Sequence, residues 1–95
     1  MEKVSGDFVW DEEKEKDNIR KHGISFTFAA NVFLDAKRKI FTDSKHSSDE
    51  PRYFCIGKVK NRIITVRFTY RQGRIRVFGA GYWRKGRMYY EKEEN

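Results

Sequence analysis

The sequence predicts a single α+β domain, residues 1–95, in which two N-terminal helices pack on a mostly antiparallel β-meander sheet, followed by a short C-terminal helix. Three observations predict this class. Helix-capping residues and apolar residues at helical spacing are confined to the first third of the chain. Runs of β-branched and aromatic residues, separated by turn sequences, fill the second half. A chain of 95 residues buries only one core, which excludes a multidomain arrangement.

The first residues carry the signals of a strand and a helix. Phe8-Val9-Trp10 is a short strand-like run, and Asp11 follows it as an N-cap with acidic residues in the first helical turn. We expect this helix to continue to about His22, where Gly23 supplies the left-handed residue that ends it. Because Ile19 is almost its only apolar residue, the helix should pack through one narrow stripe.

A second, better-buried helix is predicted to begin after Ser25, which is a suitable N-cap. Its apolar residues recur at helical spacing, at Phe28, Ala29, Val32 and Phe33. A short strand follows at residues 40–42, and residues 43–51 form a polar loop that ends in the only proline.

The rest of the chain has the pattern of a β-meander with a terminal helix. The predicted strands are residues 52–59, 62–70 and 74–81. Lys60-Asn61 and Arg71-Gln72-Gly73 separate them and are credible hairpin turns. Residues 83–94 form the predicted C-terminal helix, which Gly86 weakens.

The basic charge is confined to one block of the chain. Residues 1–50 carry 9 basic and 11 acidic side chains, whereas residues 51–90 carry 11 basic side chains and no acidic ones. Nine of the fifteen aromatic residues lie in the same block. Cations collect phosphates, and aromatic and guanidinium faces stack on bases, so this segregation favours a nucleic-acid partner. The alternative is a solvated basic surface that aids solubility.

The composition also indicates where the protein works. No segment approaches the ~20 apolar residues that cross a bilayer, and residues 1–7 lack the apolar segment of a secretory signal. Cys55 lies in an apolar run with no other cysteine to pair with, which is typical of a reducing compartment and of a small core residue. We therefore expect a cytoplasmic protein without membrane contact.

Strand alternation suggests a cluster of arginines on one face of the sheet. Matching the apolar positions of the last two strands places Arg67 opposite Arg76 and Thr69 opposite Arg74, although a bulge at Gly73 would shift this register. Arginines gathered in this way can hold a phosphate by paired hydrogen bonds and stabilise the charge of its transition state. Alternatively, they cover an exposed sheet or pair with acidic residues of the terminal helix. We favour a function for Arg67 and Arg76, and the two interpretations are equal for Arg74.

A histidine could transfer protons beside these arginines. His46 is the better candidate because it lies in a polar loop that leads into the basic strands, whereas His22, in the last turn of a helix, is more often a capping residue. Two separated histidines and one apolar cysteine do not form a zinc site, so we expect neither a metal nor another cofactor.

Several short motifs follow one another along nearly the whole chain. They are Phe8-x-Trp10-Asp11 with Lys14, Asn18-x-Arg20-Lys21-His22-Gly23-Ile24-x-Phe26, Ala29-x-x-Val32-Phe33, Asp43-x-x-His46-Ser47-x-x-Glu50-x-Arg52-Tyr53, Ile56-Gly57, and Thr69 with Gly73-Arg74-Ile75-Arg76. The Lys-His-Gly and Asp-to-Arg segments are the most specific. Together these motifs resemble the BrnT toxins, members of the RelE/ParE-like superfamily.

This resemblance implies a RelE-like fold and a ribonuclease that acts without metal, cleaves RNA through its 2′-hydroxyl and so inhibits translation. It also implies a BrnA-like antitoxin with a ribbon-helix-helix domain, through which alone the complex would bind operator DNA. The substrate would be RNA, including mRNA on the ribosome. The candidate catalytic residues are Arg67, Arg76 and His46, and the candidate RNA-binding residues are Lys45, Arg52, Arg74, Tyr82 and Arg84.

The sequence departs from the family at the end of the last predicted strand. Many relatives have Ser-Ala-Arg there, whereas this chain has Gly79-Ala80-Gly81. Arg84 or Arg76 would have to substitute for the missing arginine. The alternative to a ribonuclease is therefore a catalytically weak or inactive module of the same fold that binds RNA or the antitoxin.

Overall fold

A computed structural model describes residues 1–92 of the chain. Its strands are β1 (Glu2–Ser5), β2 (Phe8–Asp11), β3 (Lys39–Thr42), β4 (Tyr53–Val59), β5 (Arg62–Arg71) and β6 (Arg74–Gly81). Its helices are α1 (Glu12–His22), α2 (Phe26–Ala29) and α3 (Arg84–Glu91), with 3₁₀ segments at Ala30–Leu34 and Ser44–His46. The strands form one sheet in the order β1-β2-β6-β5-β4-β3, with β2 and β6 as the parallel pair. The predicted α+β class with a mostly antiparallel sheet is confirmed.

Both ends of α1 follow the predicted capping residues. The side chain of Asp11 accepts a hydrogen bond from the backbone N–H of Glu13 at 2.8 Å. Gly23 adopts the left-handed conformation, with φ of 70°, and its N–H donates to the carbonyl of Ile19 at 2.8 Å. The start and end of this helix are therefore set by local interactions that the sequence makes visible.

The prediction of two N-terminal helices packed on the sheet is wrong for the second helix. Ser25 does cap a helix, but α2 is a single turn that continues as a 3₁₀ segment. Phe26, Ala29 and Val32 are all buried, and their spacing of three residues matches the 3₁₀ period rather than the α-helical one. The backbone of Val32 lies directly on Gly57 of β4, where any side chain would collide with it.

Helix α1 lies beside the edge of β6 and contacts it through a polar side chain. Asn18 is the buried residue of α1, whereas Ile19, predicted to form the packing stripe, is 46% exposed. The carboxamide of Asn18 accepts from the N–H of Ala80 at 3.1 Å and donates to the carbonyl of Ile24 at 2.9 Å. Asn18 therefore satisfies two backbone groups that no strand partner reaches.

The core fills the space between one face of the sheet and the segment that contains α2. Trp10 is buried in it, and its indole N–H donates to Glu15, whose other carboxylate oxygen accepts from the N–H of Phe26. Cys55 is fully buried, as predicted for a small core residue, and this burial raises the pKa of its thiol to about 12. The largest other buried side chains are Phe68, Ile24, Ile56, Ile64, Val66 and Val77.

The β5–β6 register differs from the prediction. Gln72 and Gly73 both have positive φ, so the hairpin has a two-residue turn and Arg71 pairs with Arg74. Thr69 consequently lies opposite Arg76, and the predicted pairs of Arg67 with Arg76 and of Thr69 with Arg74 are wrong. A bulge then interrupts the ladder, because Phe68 pairs with Val77 but Arg67 pairs with Gly79.

Two further differences concern the ends of the chain. β1 was not predicted, because all four of its residues are exposed and they show no apolar alternation. It forms an antiparallel hairpin with β2. The C-terminal helix is confirmed over Arg84–Glu91, but Trp83 and Lys92, which were predicted as helical, are extended, and residues 93–94 lie outside the described residues. Within residues 1–92, no helix has the length and apolar character needed to cross a membrane.

Candidate functional site

One face of the sheet packs on the core, and the opposite face, here called the outer face, is partly open. Alternation along β5 buries its even-numbered side chains up to Phe68 and places Thr65, Arg67 and Thr69 on the outer face. Helix α3 covers one end of this face, where Gly86 lies against Thr65 so closely that a Cβ would collide with the threonine hydroxyl. Arg67 and Thr69 follow toward the other end.

Arg67 occupies the centre of the outer face. It lies between Phe54 on β4 and Gly79 on β6, and its side chain is half-buried. No carboxylate among residues 1–92 lies within salt-bridge distance of its guanidinium, although several neighbouring arginines have such a partner. Arg67 is therefore a cation that is available to an anionic ligand.

Arg76 lies diagonally from Arg67, across the bulge, and already has an anionic partner. Its guanidinium forms an ion pair with Glu2 of β1, and its side chain is only 13% exposed. Its Nε is buried and has no hydrogen-bond acceptor within the described part of the chain. A phosphate that binds Nη2 of Arg76 would have to replace the carboxylate of Glu2.

A loop contact brings Arg52 onto the same face. The hydroxyl of Thr69 donates to the carbonyl of Pro51, which holds the start of β4 over the outer face. The guanidinium carbon of Arg52 then lies 4.2 Å from the ring centroid of Phe78, and Nζ of Lys14 lies 5.1 Å from the same ring. Both contacts have cation–π geometry. The sequence predicted no site role for Lys14 or Phe78. Phe78 is the extra residue of a bulge that no local pattern indicates, and the contact of Lys14 depends on the position of Phe78.

The two directly opposed arginines are Arg71 and Arg74, at the hairpin end of the face. Like charges in this position repel each other unless an anion lies nearby. Glu50 supplies that anion, with a carboxylate oxygen 2.7 Å from Arg71 and 3.7 Å from Arg52. Arg74 remains exposed at the edge of this group.

His46 lies in the 3₁₀ turn before β4, and backbone hydrogen bonds attach this turn to Arg52. The N–H of Asp43 donates to the carbonyl of Arg52 at 2.7 Å, and the N–H of Arg52 donates to the hydroxyl of Ser47 at 2.9 Å. Nδ1 of His46 lies 2.9 Å from a carboxylate oxygen of Asp43, which is only 5% exposed. A carboxylate can only accept, so Nδ1 carries a proton, and in the neutral imidazole the free lone pair is on Nε2. Sequence reasoning did not identify Asp43 as a site residue.

The same turn borders a concave groove between α3 and the outer face, here called the aromatic groove. Its volume is about 610 Å³, and its floor includes Phe54, the cross-strand neighbour of Arg67. Lys45 and His46 both line it. The groove therefore places Lys45 and His46 near Phe54, the cross-strand neighbour of Arg67, whereas Arg52 lies over Phe78 instead.

The remaining predicted residues lie at the far end of the sheet. The ring of Tyr82 faces the guanidinium of Arg62, and Arg84 is exposed at the first turn of α3. Arg74 and Tyr82 are eight residues apart along an extended segment, which corresponds to about 25 Å. The predicted RNA-binding residues therefore do not form one cluster.

Gly81, where the sequence departs from the family pattern, lies under the side chain of Trp83. The indole of Trp83 covers Gly81, and a Cβ at residue 81 would lie 2.9 Å from two atoms of this ring system. The Trp83 ring also contacts the ring of His22 edge-on, with centroids 5.8 Å apart. A larger side chain at residue 81 would displace Trp83 from β6.

Among residues 1–92, no group of three or more histidine, cysteine or acidic side chains is placed to hold a metal ion.

Comparison with known proteins identifies the family of the chain. None of the curated proteins compared with the chain matches it. The family model described as the ribonuclease toxin BrnT of type II toxin-antitoxin systems matches residues 10–86, which run from the middle of β2 to the first turn of α3. A toxin of this class has an RNA substrate and an antitoxin partner. The chain therefore belongs to the BrnT family of ribonuclease toxins.

Proposed function

We propose that the protein is a metal-independent endoribonuclease with a RelE-like architecture, which cleaves mRNA and thereby inhibits translation. The observation that carries this proposal is the state of Arg67: a half-buried guanidinium in the centre of the outer face without a carboxylate partner among residues 1–92. A cation held in this way can accept a phosphate without first losing another anion. Because translated RNA is its substrate, we place its action in the cytoplasm.

Arg67 and Arg76 bind the scissile phosphate in this proposal. Arg67 is available at once, whereas Arg76 exchanges the carboxylate of Glu2 for a phosphate oxygen. Negative charge on the non-bridging oxygens increases as the phosphorus becomes pentacoordinate, and two fixed guanidinium groups stabilise that charge. The fork geometry of arginine suits this task better than the point charge of lysine.

His46 acts as the general base. Its Nε2 removes the proton of the ribose 2′-hydroxyl, the 2′-oxygen attacks the phosphorus, and the bond to the 5′-oxygen breaks. The 5′-oxygen takes a proton from water, and the hydroxide that forms takes the proton from the imidazolium, which restores the neutral base. The products are a 2′,3′-cyclic phosphate and a 5′-hydroxyl. Asp43 holds the imidazole in the tautomer that this step needs, and stabilises the imidazolium that results.

The other predicted residues bind the RNA on either side of the scissile bond. Lys45 and Arg52 lie next to His46 and Arg67, and Arg74 extends the basic surface toward the hairpin turn. Arg84 and Tyr82 lie at the opposite end, where the tyrosine ring can stack on a base. Their separation suits an extended single strand better than a compact ligand.

We further propose that the antitoxin is BrnA-like, with a ribbon-helix-helix domain through which the complex binds operator DNA. The support for an acidic partner is the basic outer face, where Arg67 and Arg74 have no carboxylate partner among residues 1–92. Co-purification of the protein with the product of an adjacent ribbon-helix-helix reading frame would test this assignment. Operator DNA should be retained by the complex and not by the toxin alone.

The reaction class can be tested with synthetic RNA. Purified protein should cleave single-stranded RNA equally well with and without EDTA, and leave a cyclic phosphate end. A single 2′-deoxy substitution at the cleaved nucleotide should abolish the cut. In cells, expression without an antitoxin should arrest growth, and the double substitution Arg67→Ala with Arg76→Ala should relieve the arrest. Loss of activity in EDTA, or cleavage of the 2′-deoxy substrate, would contradict the mechanism.

A second candidate function is an RNA- or antitoxin-binding module that does not cleave. The ion pair between Arg76 and Glu2 favours it, because this pair neutralises one of the two arginines in the free protein. In the same assay this candidate predicts RNA binding that weakens with salt, with no cleavage at any pH.

A further inference from the structure

The aromatic groove has aromatic side chains on its floor and walls. Phe54 lies at the floor, and Phe41 of β3 packs against Tyr89 of α3, with ring centroids 5.1 Å apart, to form one wall. Trp83 lines the groove at the start of α3. Phe41, Trp83 and Tyr89 are 38%, 37% and 42% exposed, so these rings are only partly used in packing. Flat aromatic faces that remain accessible in a groove are suitable for stacking on another planar ring.

The charges around the groove favour an anionic occupant. Lys45 and Lys85 line it, and Nζ of Lys85 lies 5.9 Å from the centroid of the Tyr89 ring. The acidic side chain among the lining residues is Asp43, which is only 5% exposed and is engaged by His46. A cationic peptide would meet the same positive charges. A planar ring that carries a phosphate fits both the aromatic walls and the cations.

The size and position of the groove point to a nucleotide. Its volume of about 610 Å³ lies within the range of roughly 300–1,000 Å³ that is typical of small-ligand sites. Phe54 lines the groove and pairs directly with Arg67 across the β4–β5 ladder. A nucleotide whose phosphate is bound by Arg67 would therefore have its base, or that of its neighbour, at the entrance of the groove.

We propose that the aromatic groove is a base-binding pocket, which holds one unpaired nucleotide of the RNA next to the scissile phosphate and so selects the site of cleavage. This inference rests on the proposed function, and it adds a specificity determinant that the phosphate contacts do not provide. Stacking on the exposed part of Trp83 or Phe41 tolerates any base, and the polar side chains of Thr42 and Ser44 in the lining can distinguish one base edge from another.

The inference can be tested by binding and by cleavage mapping. A non-cleavable 2′-deoxy oligonucleotide should bind about tenfold more weakly to Phe41→Leu and to Lys85→Ala than to the parent protein. Lys85→Ala is the safer variant, because this side chain is exposed and its loss leaves the core intact. Tyr70→Ala is the matched control, since Tyr70 is equally aromatic, is 56% exposed and is not among the residues that line the groove.

Cleavage mapping on an RNA of random sequence gives the second result. The parent should show a base preference at one position next to the cut, and both groove variants should lose it while they still depend on Arg67. Unchanged binding and an unchanged preference in the two variants would overturn the pocket, even if Arg67→Ala removed cleavage. Weaker antitoxin binding with unchanged RNA binding would assign the groove to the antitoxin and would also overturn it. Absence of cleavage by the parent would count against the proposed function, and the oligonucleotide binding would still test the pocket.

Discussion

The carboxylate of Asp43 lies 2.9 Å from Nδ1 of His46, and both residues belong to a turn that is hydrogen-bonded to the backbone of Arg52. This relationship fixes the tautomer of the imidazole and directs Nε2 away from the carboxylate. In the proposed mechanism, this contact orients His46 as the base beside the arginines of the outer face.

Asp43→Asn should therefore impair cleavage without impairing RNA binding. A carboxamide can donate to Nδ1, which would place the proton on Nε2 and remove the base. We expect the cleavage rate to fall about 10²-fold, and at least as far in His46→Gln, because a positioned general base typically contributes 10²–10⁴-fold. Single-turnover rates measured across pH would check this, with binding of the 2′-deoxy oligonucleotide as the control. If Asp43→Asn cleaved as fast as the parent, His46 would not be the base.

Glu2→Gln should strengthen RNA binding. The substitution removes the carboxylate that occupies Arg76, so phosphate no longer has to displace it. The affinity should rise severalfold, and the dependence of the binding constant on salt should become steeper, because one more protein cation contacts the RNA. Titration with a labelled oligonucleotide at several salt concentrations measures both. Glu12→Gln on α1 is the control, and equal affinities of all three proteins would indicate that Arg76 does not contact RNA.

Two threonines of the outer face should respond in opposite ways to loss of the hydroxyl. The Thr65 hydroxyl is buried without a hydrogen-bond partner in residues 1–92, whereas the Thr69 hydroxyl donates to the carbonyl of Pro51. Thr65→Val should raise the free energy of unfolding by about 1 kcal/mol, and Thr69→Val should lower it by a similar amount. Urea unfolding of both variants measures these changes. A loss of stability in Thr65→Val would show that its hydroxyl has a partner.

Asn18→Leu should destabilise the fold more than the small change in side-chain size suggests. It would leave the N–H of Ala80 and the carbonyl of Ile24 without partners at the edge of β6. We expect a loss of about 2–4 kcal/mol in the free energy of unfolding, since each buried unpaired backbone group costs about 1–3 kcal/mol. Replacement of the exposed neighbour in Ile19→Leu is the control and should change little. Equal stability of the two variants in urea would contradict the role of Asn18.

Stability should decrease in acid in a way that depends on Asp35. Burial alone would raise the pKa of Asp35, but hydrogen bonds from the Tyr90 hydroxyl and from the backbone N–H groups of Lys58 and Lys37 outweigh it and lower the pKa. A carboxyl group whose pKa is lower in the folded state stabilises that state above its unfolded pKa of about 3.9, and the contribution is lost as the pH falls below it.

The parent should therefore be more stable than Asp35→Asn at pH 7, and the difference should shrink below about pH 4. Because Tyr90 belongs to α3, the far-ultraviolet circular dichroism of this helix should decrease over the same range. Thermal unfolding from pH 7 to pH 2.5 would measure the difference. A constant difference at all pH values would mean that the charge of Asp35 does not stabilise the fold.

The elements whose ends are set by local chemistry could be predicted from the sequence. Asp11, Gly23 and Ser25 were identified as caps, and each has that role in the structure. The three long strands were placed within one residue of their observed ends. Six of the eleven basic residues of 51–90 do share one sheet, although their neighbours could not be predicted.

The details of the site depend on long-range geometry. The sequence left the hairpin turn uncertain among Arg71, Gln72 and Gly73, and a shift of one residue in the turn moves every pair in the ladder by two residues. Three features of the site depend on segments that are distant in sequence. They are the bulge at Phe78, the ion pair of Arg76 with Glu2, and the placement of Arg52 through Thr69. Gly86 weakens a helix by propensity, yet it is needed because α3 lies directly on Thr65.

The central claim is that Arg67 stabilises the transition state of RNA cleavage. The most direct test is the single-turnover rate of cleavage by Arg67→Ala on one defined RNA, beside Arg20→Ala as a control on the exposed surface of α1. We predict a decrease of about 10²–10³-fold for Arg67→Ala, with native stability and with the control at the rate of the parent. A rate for Arg67→Ala equal to that of the parent would contradict the account.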